Sequence, residues 1–163
     1  MTPHEGAFTA LAVIGALAAL RLVTTRNVVH GALYLVVTLA TVGGVYLILA
    51  AEFLAWVQVV IYVGAIVVLL LFSLMLTKAP IGREALDNQQ RGLAALVGAA
   101  VLGGLLFLIT DAFSGQKIHP AQTTTAAIGA SIFRSFVWPF EVVSILLLAA
   151  LIGAVALARR EEP

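Results

Sequence analysis

Between Arg26 and Glu52, and again between Glu52 and Lys78, the chain runs without a single Asp, Glu, Lys or Arg. Each stretch is predominantly apolar and longer than the roughly 20 residues a helix needs to cross a hydrocarbon core of about 30 Å. Shorter uncharged runs lie between Glu5 and Arg21, between Arg91 and Asp111, and between Glu141 and Arg159. Charges thus gather only at the ends of apolar runs. A bilayer imposes that pattern, because an ionised side chain at its centre costs about 2.5–3.5 kcal/mol even on insertion scales. Composition agrees: of 163 residues, 62% are hydrophobic and 10% charged, against roughly 45–50% and about 25% in globular domains. Too few polar side chains remain to cover a water-facing surface. Backbone groups in lipid need partners within their own segment, so the runs are helices. The expected fold is all-α: a polytopic membrane protein, a bundle of five transmembrane helices at about residues 6–22, 28–49, 54–76, 92–109 and 139–158. It forms a single membrane domain over residues 1–163.

The first run does not read as a secretory signal, since only His4 and Glu5 precede it and no small-residue cleavage site closes it before Arg21. It is read as a retained helix, with Arg21 snorkelling to the headgroups. The segment 78–91, with Pro80 and Gly82, is polar and belongs outside the bilayer, and an outer loop over about 111–134 carries Ser114-Gly115, His119-Pro120 and a threonine run. With five crossings, Arg21, Arg26, Lys78, Arg83, Arg91, Arg159 and Arg160 share one side. Lys117 and Arg134 lie on the other, seven basic residues against two. The positive-inside rule then puts the N-terminus outside and the C-terminus in the cytoplasm. The location implied is the inner (cytoplasmic) membrane of a cell, multi-pass.

Several chemistries are excluded. There is no cysteine, hence no disulfide framework and no Cys-held zinc or iron–sulfur cluster. His4, His30 and His119 are far apart in sequence and indicate no metal site. A net charge of +1 argues nothing for nucleic acid. No phosphate-binding glycine loop, nucleophile elbow or HExxH motif is present. Small residues at four-residue spacing, Gly15 and Ala19, Ala149 and Gly153, or Ala150, Ala154 and Ala158, suit close helix packing in lipid.

Few titratable groups lie near the spans. Glu52, between the second and third helices, reads either as an interfacial carboxylate with its charge in water or as a proton-relay group at the outer mouth of a channel. Glu141 follows Trp138-Pro139-Phe140, an interfacial anchor and a first-turn proline. There it would stabilise a helix N-terminus or serve a proton path. In the third helix, Gln58, Tyr62, Ala65 and Leu69 share one face at α-helical spacing. A mid-span glutamine and tyrosine belong against protein or water. Gly64 lies among β-branched residues that are mediocre helix formers. That stretch can hold a π-bulge, a local i→i+5 register, or the glycine can simply admit a neighbouring helix.

Two classes of function fit these residues: a structural and coupling subunit of a larger membrane complex, or a stand-alone small oligomeric membrane transporter or channel. Every Lys, Arg, Asp and Glu lies at or outside a span end. A self-sufficient ion carrier would be expected to hold a buried mid-span charge, so the partnered subunit is favoured.

Three elements in register resemble one family. Asn27-Val28-Val29-His30-Gly31-Ala32-Leu33-Tyr34 is similar to its N-P-V-H-x-A-L-Y element. Glu52-Phe53-Leu54-Ala55 through Tyr62-Val63-Gly64-Ala65-Ile66-Val67-Val68-Leu69 resembles its third-helix core. Pro139-Phe140-Glu141-Val142 through Ser144 and Gly153-Ala154 to Arg159-Arg160 resembles its last helix. The family is subunit J of NADH-quinone oxidoreductase, respiratory complex I, counterpart of mitochondrial chain 6. The resemblance implies a membrane-arm subunit of a proton-translocating translocase, with no catalytic centre of its own. Its partners would be quinone-site and antiporter-like subunits in a lipid bilayer. The cofactors FMN, iron–sulfur clusters, NADH and quinone would sit on partner subunits and none on this chain. It also implies a third-helix π-bulge that converts to α-helix during the cycle, at Tyr62, Val63, Gly64 and Ala65. Conversion of one bulge turns the section beyond it by roughly 100°. Tyr62 would be the gating hydroxyl and Gly64 the hinge, with Gln58, Glu52 and Glu141 beside the proton path. Two positions depart from the family: Val28 stands where proline is usual, and Gln58 where some relatives have a carboxylate. Glutamine does not exchange a proton at physiological pH, so a titrating group on that face would come from a neighbouring subunit.

Overall fold

The computed structural model describes residues 3–77, 90–115 and 124–159. Among them the regular elements are six helices: α1 Pro3–Thr24, α2 Val28–Ile48, α3 Glu52–Leu76, α4 Arg91–Phe113, α5 Thr125–Arg134 and α6 Val137–Ala158. Five of these, all but α5, are long and apolar enough to cross a membrane. They are the five spans expected from the charge pattern. Most of the polar segment expected over 78–91 lies outside the described residues, as do Lys117, His119, Pro120 and Arg160. The chain divides into two compact units, Met1–Ala121 and Gln122–Pro163, and each is taken by itself.

In the first unit α1 and α2 form a hairpin. Glu5 lies in the first turn of α1 and Arg21 in its last, both favourable to the helix dipole. Asn27 starts α2: its Oδ1 accepts the N–H of Val29 at 3.0 Å and of His30 at 3.3 Å, satisfying two of the first-turn donors left over at any helix start. The two helices meet through small side chains. Ala18 of α1 and Gly31, Ala32 and Thr41 of α2 are buried. A Cβ on Gly15 would lie 2.6 Å from the Thr41 hydroxyl oxygen, and one on Gly44 2.8 Å from a Leu11 methyl. Glycine here sets the distance between two backbones, as small residues do in lipid, where packing rather than hydrophobicity holds helices together.

The connection from α2 to α3 is as short as the sequence suggests. Ala50 adopts φ 56°, with its N–H on Leu47 O at 3.1 Å and that of Ala51 on Tyr46 O at 2.9 Å. This is the paired-bond helix ending that normally places glycine at the left-handed position. Alanine there is strained, since an L-residue in that region loses roughly 1–2 kcal/mol. Ala50→Gly is therefore expected to stabilise the fold by up to about 1 kcal/mol, read as a higher unfolding midpoint in detergent. An unchanged or lower midpoint would contradict this account of the turn. Beyond it, α3 packs along α2, burying Ala55, Gln58 and Val67. α4 buries none of its described side chains; apolar on all sides, it is made to face lipid or another protein.

The second unit corrects the sequence expectation. The outer loop, drawn over about 111–134, is shorter at both ends. α4 continues through Phe113, and residues 125–134 form α5. Thr124 provides a start, its Oγ1 accepting the Ala127 N–H at 3.3 Å. The threonine run and Gly129 suggest a loop, but Ile128, Ile132 and Phe133 recur at helical spacing. α6 begins at Val137, two residues ahead of Pro139. Proline is tolerated there because the first four N–H groups of a helix have no acceptor within it. Glu141 consequently lies beyond the first turn of α6 and not at its N-terminus, which removes the dipole role that a start near Pro139 implied.

Candidate functional site

The sequence of α3 is unhelpful to a regular α-helix between Gln58 and Ile66, where valine, isoleucine, tyrosine and glycine crowd together. The backbone there adopts an i→i+5 ladder over nine residues, Gln58–Ile66, with the Val67 N–H bonded to Tyr62 O. The helix is not interrupted. Gln58 at its start has φ −59° and ψ −45°, and Val67 at its end φ −67° and ψ −39°, both ordinary helical values. Tyr62, Val63, Gly64 and Ala65 all lie inside this π-helical stretch.

The register determines which side chains face α2. The α-helical reading put Gln58, Tyr62, Ala65 and Leu69 on one face. Instead Gln58 is 6% exposed while Tyr62 is 44% and Leu69 66% exposed. Gln58 shares the buried side with Val67, which is 1% exposed. Nine α-helical residues turn the chain through about 900°, two and a half turns, which would set these two on opposite sides. An i→i+5 ladder holds close to one residue more per turn, so nine residues make roughly two turns and return to the same side. The π register is thus what lets both Gln58 and Val67 pack on α2.

Gln58 is tied there. Its Nε2 donates to the backbone carbonyl of Leu39 at 3.2 Å, across to α2. Gly43 makes room: a Cβ at that position would sit 3.5 Å from Gln58 Cγ and from a Val59 methyl. Gly64 occupies a tighter place, with a Cβ there 3.3 Å from the carbonyl oxygen of Val59, five residues back in its own ladder. Tyr62 is 44% exposed, and its hydroxyl makes no hydrogen bond among the described residues. Lipid offers it none.

Of the other candidates, Glu52 is exposed in the first turn of α3, about one and two-thirds turns before Gln58, and Glu141 is exposed on α6 in the second unit. Among the described residues no cluster of three or more His, Cys, Asp or Glu could hold a metal ion. Sequence reasoning missed three participants: the Leu39 carbonyl, Gly43 and Val67. The Gly43-Gly44 pair was a visible signal of close approach on α2. Leu39 and Val67 gave none, since a backbone acceptor and one valine among many carry no pattern.

Five long apolar helices, one with a π-helical middle tied to its neighbour by a buried glutamine, define a polytopic membrane protein. Residues 18–157 match the model of the NADH-ubiquinone/plastoquinone oxidoreductase chain 6 family, and the chain belongs to that family. It is 40% identical to the F(420)H(2) dehydrogenase subunit J of Methanosarcina mazei, covering 94% of this chain and 90% of that one. It is 38% identical to the NAD(P)H-quinone oxidoreductase chain 6 of Leptolyngbya boryana, over 94% and 79% of the two chains. With the NADH-quinone oxidoreductase subunit J of Escherichia coli it shares 34% identity, over 97% and 88%. Nothing in these similarities supports a stand-alone transporter or channel.

Proposed function

We propose that this chain is a membrane-arm subunit of a proton-translocating quinone oxidoreductase of the complex I type, and that the π-helical stretch of α3 couples quinone reduction to proton movement. The observation that carries the reading is the i→i+5 ladder over Gln58–Ile66 in a chain of this family. Relatives of similar identity are named for different electron donors, F(420)H(2), NAD(P)H and NADH. What this subunit does is therefore independent of the donor and belongs to the membrane part. Flavin, iron–sulfur clusters and the quinone site are assigned to partner subunits. The chain lies in the cytoplasmic membrane with its C-terminus inside; α5, at ten residues, is too short to add a crossing.

The mechanism follows from the register. Passing to i→i+4 would turn the section beyond Ile66 by about half a turn relative to Gln58. That exceeds the roughly 100° of a single bulge. Val67 would leave α2 and the exposed face carrying Tyr62 would swing. In the π form, the ladder passes over one carbonyl where it returns to i→i+4 after the Val67–Tyr62 bond. We place this carbonyl at Val63, a mid-span acceptor next in sequence to Tyr62, and it would hold water. Conversion to α closes that carbonyl and breaks the water path. The chain gates and does not itself carry the proton, since no Asp, Glu, Lys or Arg lies within α3 beyond its first residue.

Tyr62→Phe keeps the ring and removes the hydroxyl. It is expected to leave assembly intact and lower proton translocation, measured in proteoliposomes during quinone reduction; unchanged pumping would remove the hydroxyl from the path. The reading as a whole is tested by purifying the tagged chain in mild detergent with its native partners. Co-purification of antiporter-like and cluster-bearing subunits, with inhibitor-sensitive quinone reduction from NADH, NADPH or F(420)H(2), is the expected result. A chain that purifies alone or only with copies of itself overturns it.

A further inference from the structure

We infer that α5 is an interfacial helix whose partner is the lipid surface itself, lying in the headgroup boundary at the face of the bilayer where α6 begins. The inference rests on α5 and α6 alone and uses nothing of the switch in α3. Ten residues rise only about 15 Å, half the hydrocarbon thickness, so α5 does not cross. It is also not free to leave the membrane. Only Ser135 and Phe136 separate it from α6, and both donate their N–H back to Ser131 O, at 2.8 and 3.1 Å. The Phe133 ring meets the Phe140 ring edge to face, with centroids 5.1 Å apart and planes at 63°. The last turn of α5 is therefore fastened to the first turn of a spanning helix.

Its two faces differ in chemistry. Ile128, Ile132 and Phe133 lie along one side at helical spacing, while Ala127, Ala130, Ser131 and Arg134 lie along the other. Ile128 and Ile132 are half-buried and Phe133 is 64% exposed. Through the Phe133–Phe140 contact this apolar side continues into the surface of α6, which buries none of its described side chains. Trp138, 78% exposed, stands at the same level, where amphipathic rings favour the membrane–water boundary. Arg134 closes α5 on the polar side and makes no ion pair among the described residues. It is free to meet lipid phosphate. Short helices with one apolar and one polar face and a basic end lie in that boundary, with the apolar face sunk about 5–10 Å.

The test is photo-crosslinking in native membranes carrying the chain at normal levels. A diazirine-bearing amino acid is placed singly at position 128 or 132 on the apolar face, and at 127 or 131 on the polar face. Mass spectrometry then identifies what each captures. Lipid adducts from 128 and 132 at several times the yield from 127 and 131 are expected. Peptide adducts to another subunit dominating at 128 and 132, or equal lipid yields from both faces, would overturn the inference. In a second measurement, Ile132→Asp should reduce lipid capture from position 128. Undiminished capture would show that α5 is held by something other than lipid.

Discussion

Gly64→Val is expected to leave the complex assembled and to slow quinone-linked proton translocation roughly 5- to 150-fold. That is the population shift produced by about 1–3 kcal/mol of bias between two conformations. A Cβ at this position lies 3.3 Å from the Val59 carbonyl oxygen in the π register, tighter than ordinary contact, and valine adds two methyls to the carbon that meets it. Overpacking of this kind costs about 1–3 kcal/mol. In a regular α-helix the same carbon takes its usual place pointing back along the axis. The substitution therefore penalises one register and spares the other. Proton pumping followed in proteoliposomes, beside the amount of assembled complex, separates loss of coupling from loss of protein. Full pumping by the assembled variant would contradict the hinge role.

Gly15→Leu is expected to have the larger effect on the fold. The Cβ would meet the Thr41 hydroxyl at 2.6 Å. Thr41 is 8% exposed, stiff at χ1 because it is β-branched, and bonded through Oγ1 to Thr38 O at 2.7 Å. It cannot yield without giving up that bond, so α1 and α2 must move apart. Roughly 3 kcal/mol or more is lost, and little folded chain should survive extraction in detergent. Gly6→Ala, where a Cβ meets nothing within 4 Å, should leave recovery unchanged. Equal recovery of both variants would show that the glycine contact does not hold the hairpin. Gly44 contrasts with Gly15, because the Leu11 methyl facing it ends a flexible side chain and can turn away.

The five spans were legible in the sequence because charge in hydrocarbon is so costly that each charged residue marks a boundary. Arg21 was legible for a similar reason, as a guanidinium that reaches the headgroups at the end of the first span. α5 was not, since ten residues dominated by small side chains, behind a threonine run, give too short a period to stand against a loop reading. The face shared by Gln58, Tyr62, Ala65 and Leu69 does not extend to Ala65 and Leu69, because it assumed about 100° per residue through the one stretch where the ladder is wider. The same β-branched residues and Gly64 that make an α-helix mediocre there were visible. Whether they yield a π register depends on packing against α2, through Gln58 and Gly43, which no local pattern contains. Glu52 and Glu141 were found as candidates from their rarity; Glu52 opens α3 six residues before the π stretch, and Glu141 lies in the second unit.

The central claim, that α3 changes register during turnover, is tested most directly by structures of the assembled complex frozen at rest and during steady-state quinone reduction. The account predicts a resting class with the Val67 N–H on Tyr62 O and Gln58 on Leu39 O. It also predicts a turnover class in which residues 58–66 are α-helical, the Val67 N–H has moved to Val63 O, and Val67 has left α2. A complex that pumps at full rate while every class keeps the i→i+5 ladder would contradict it.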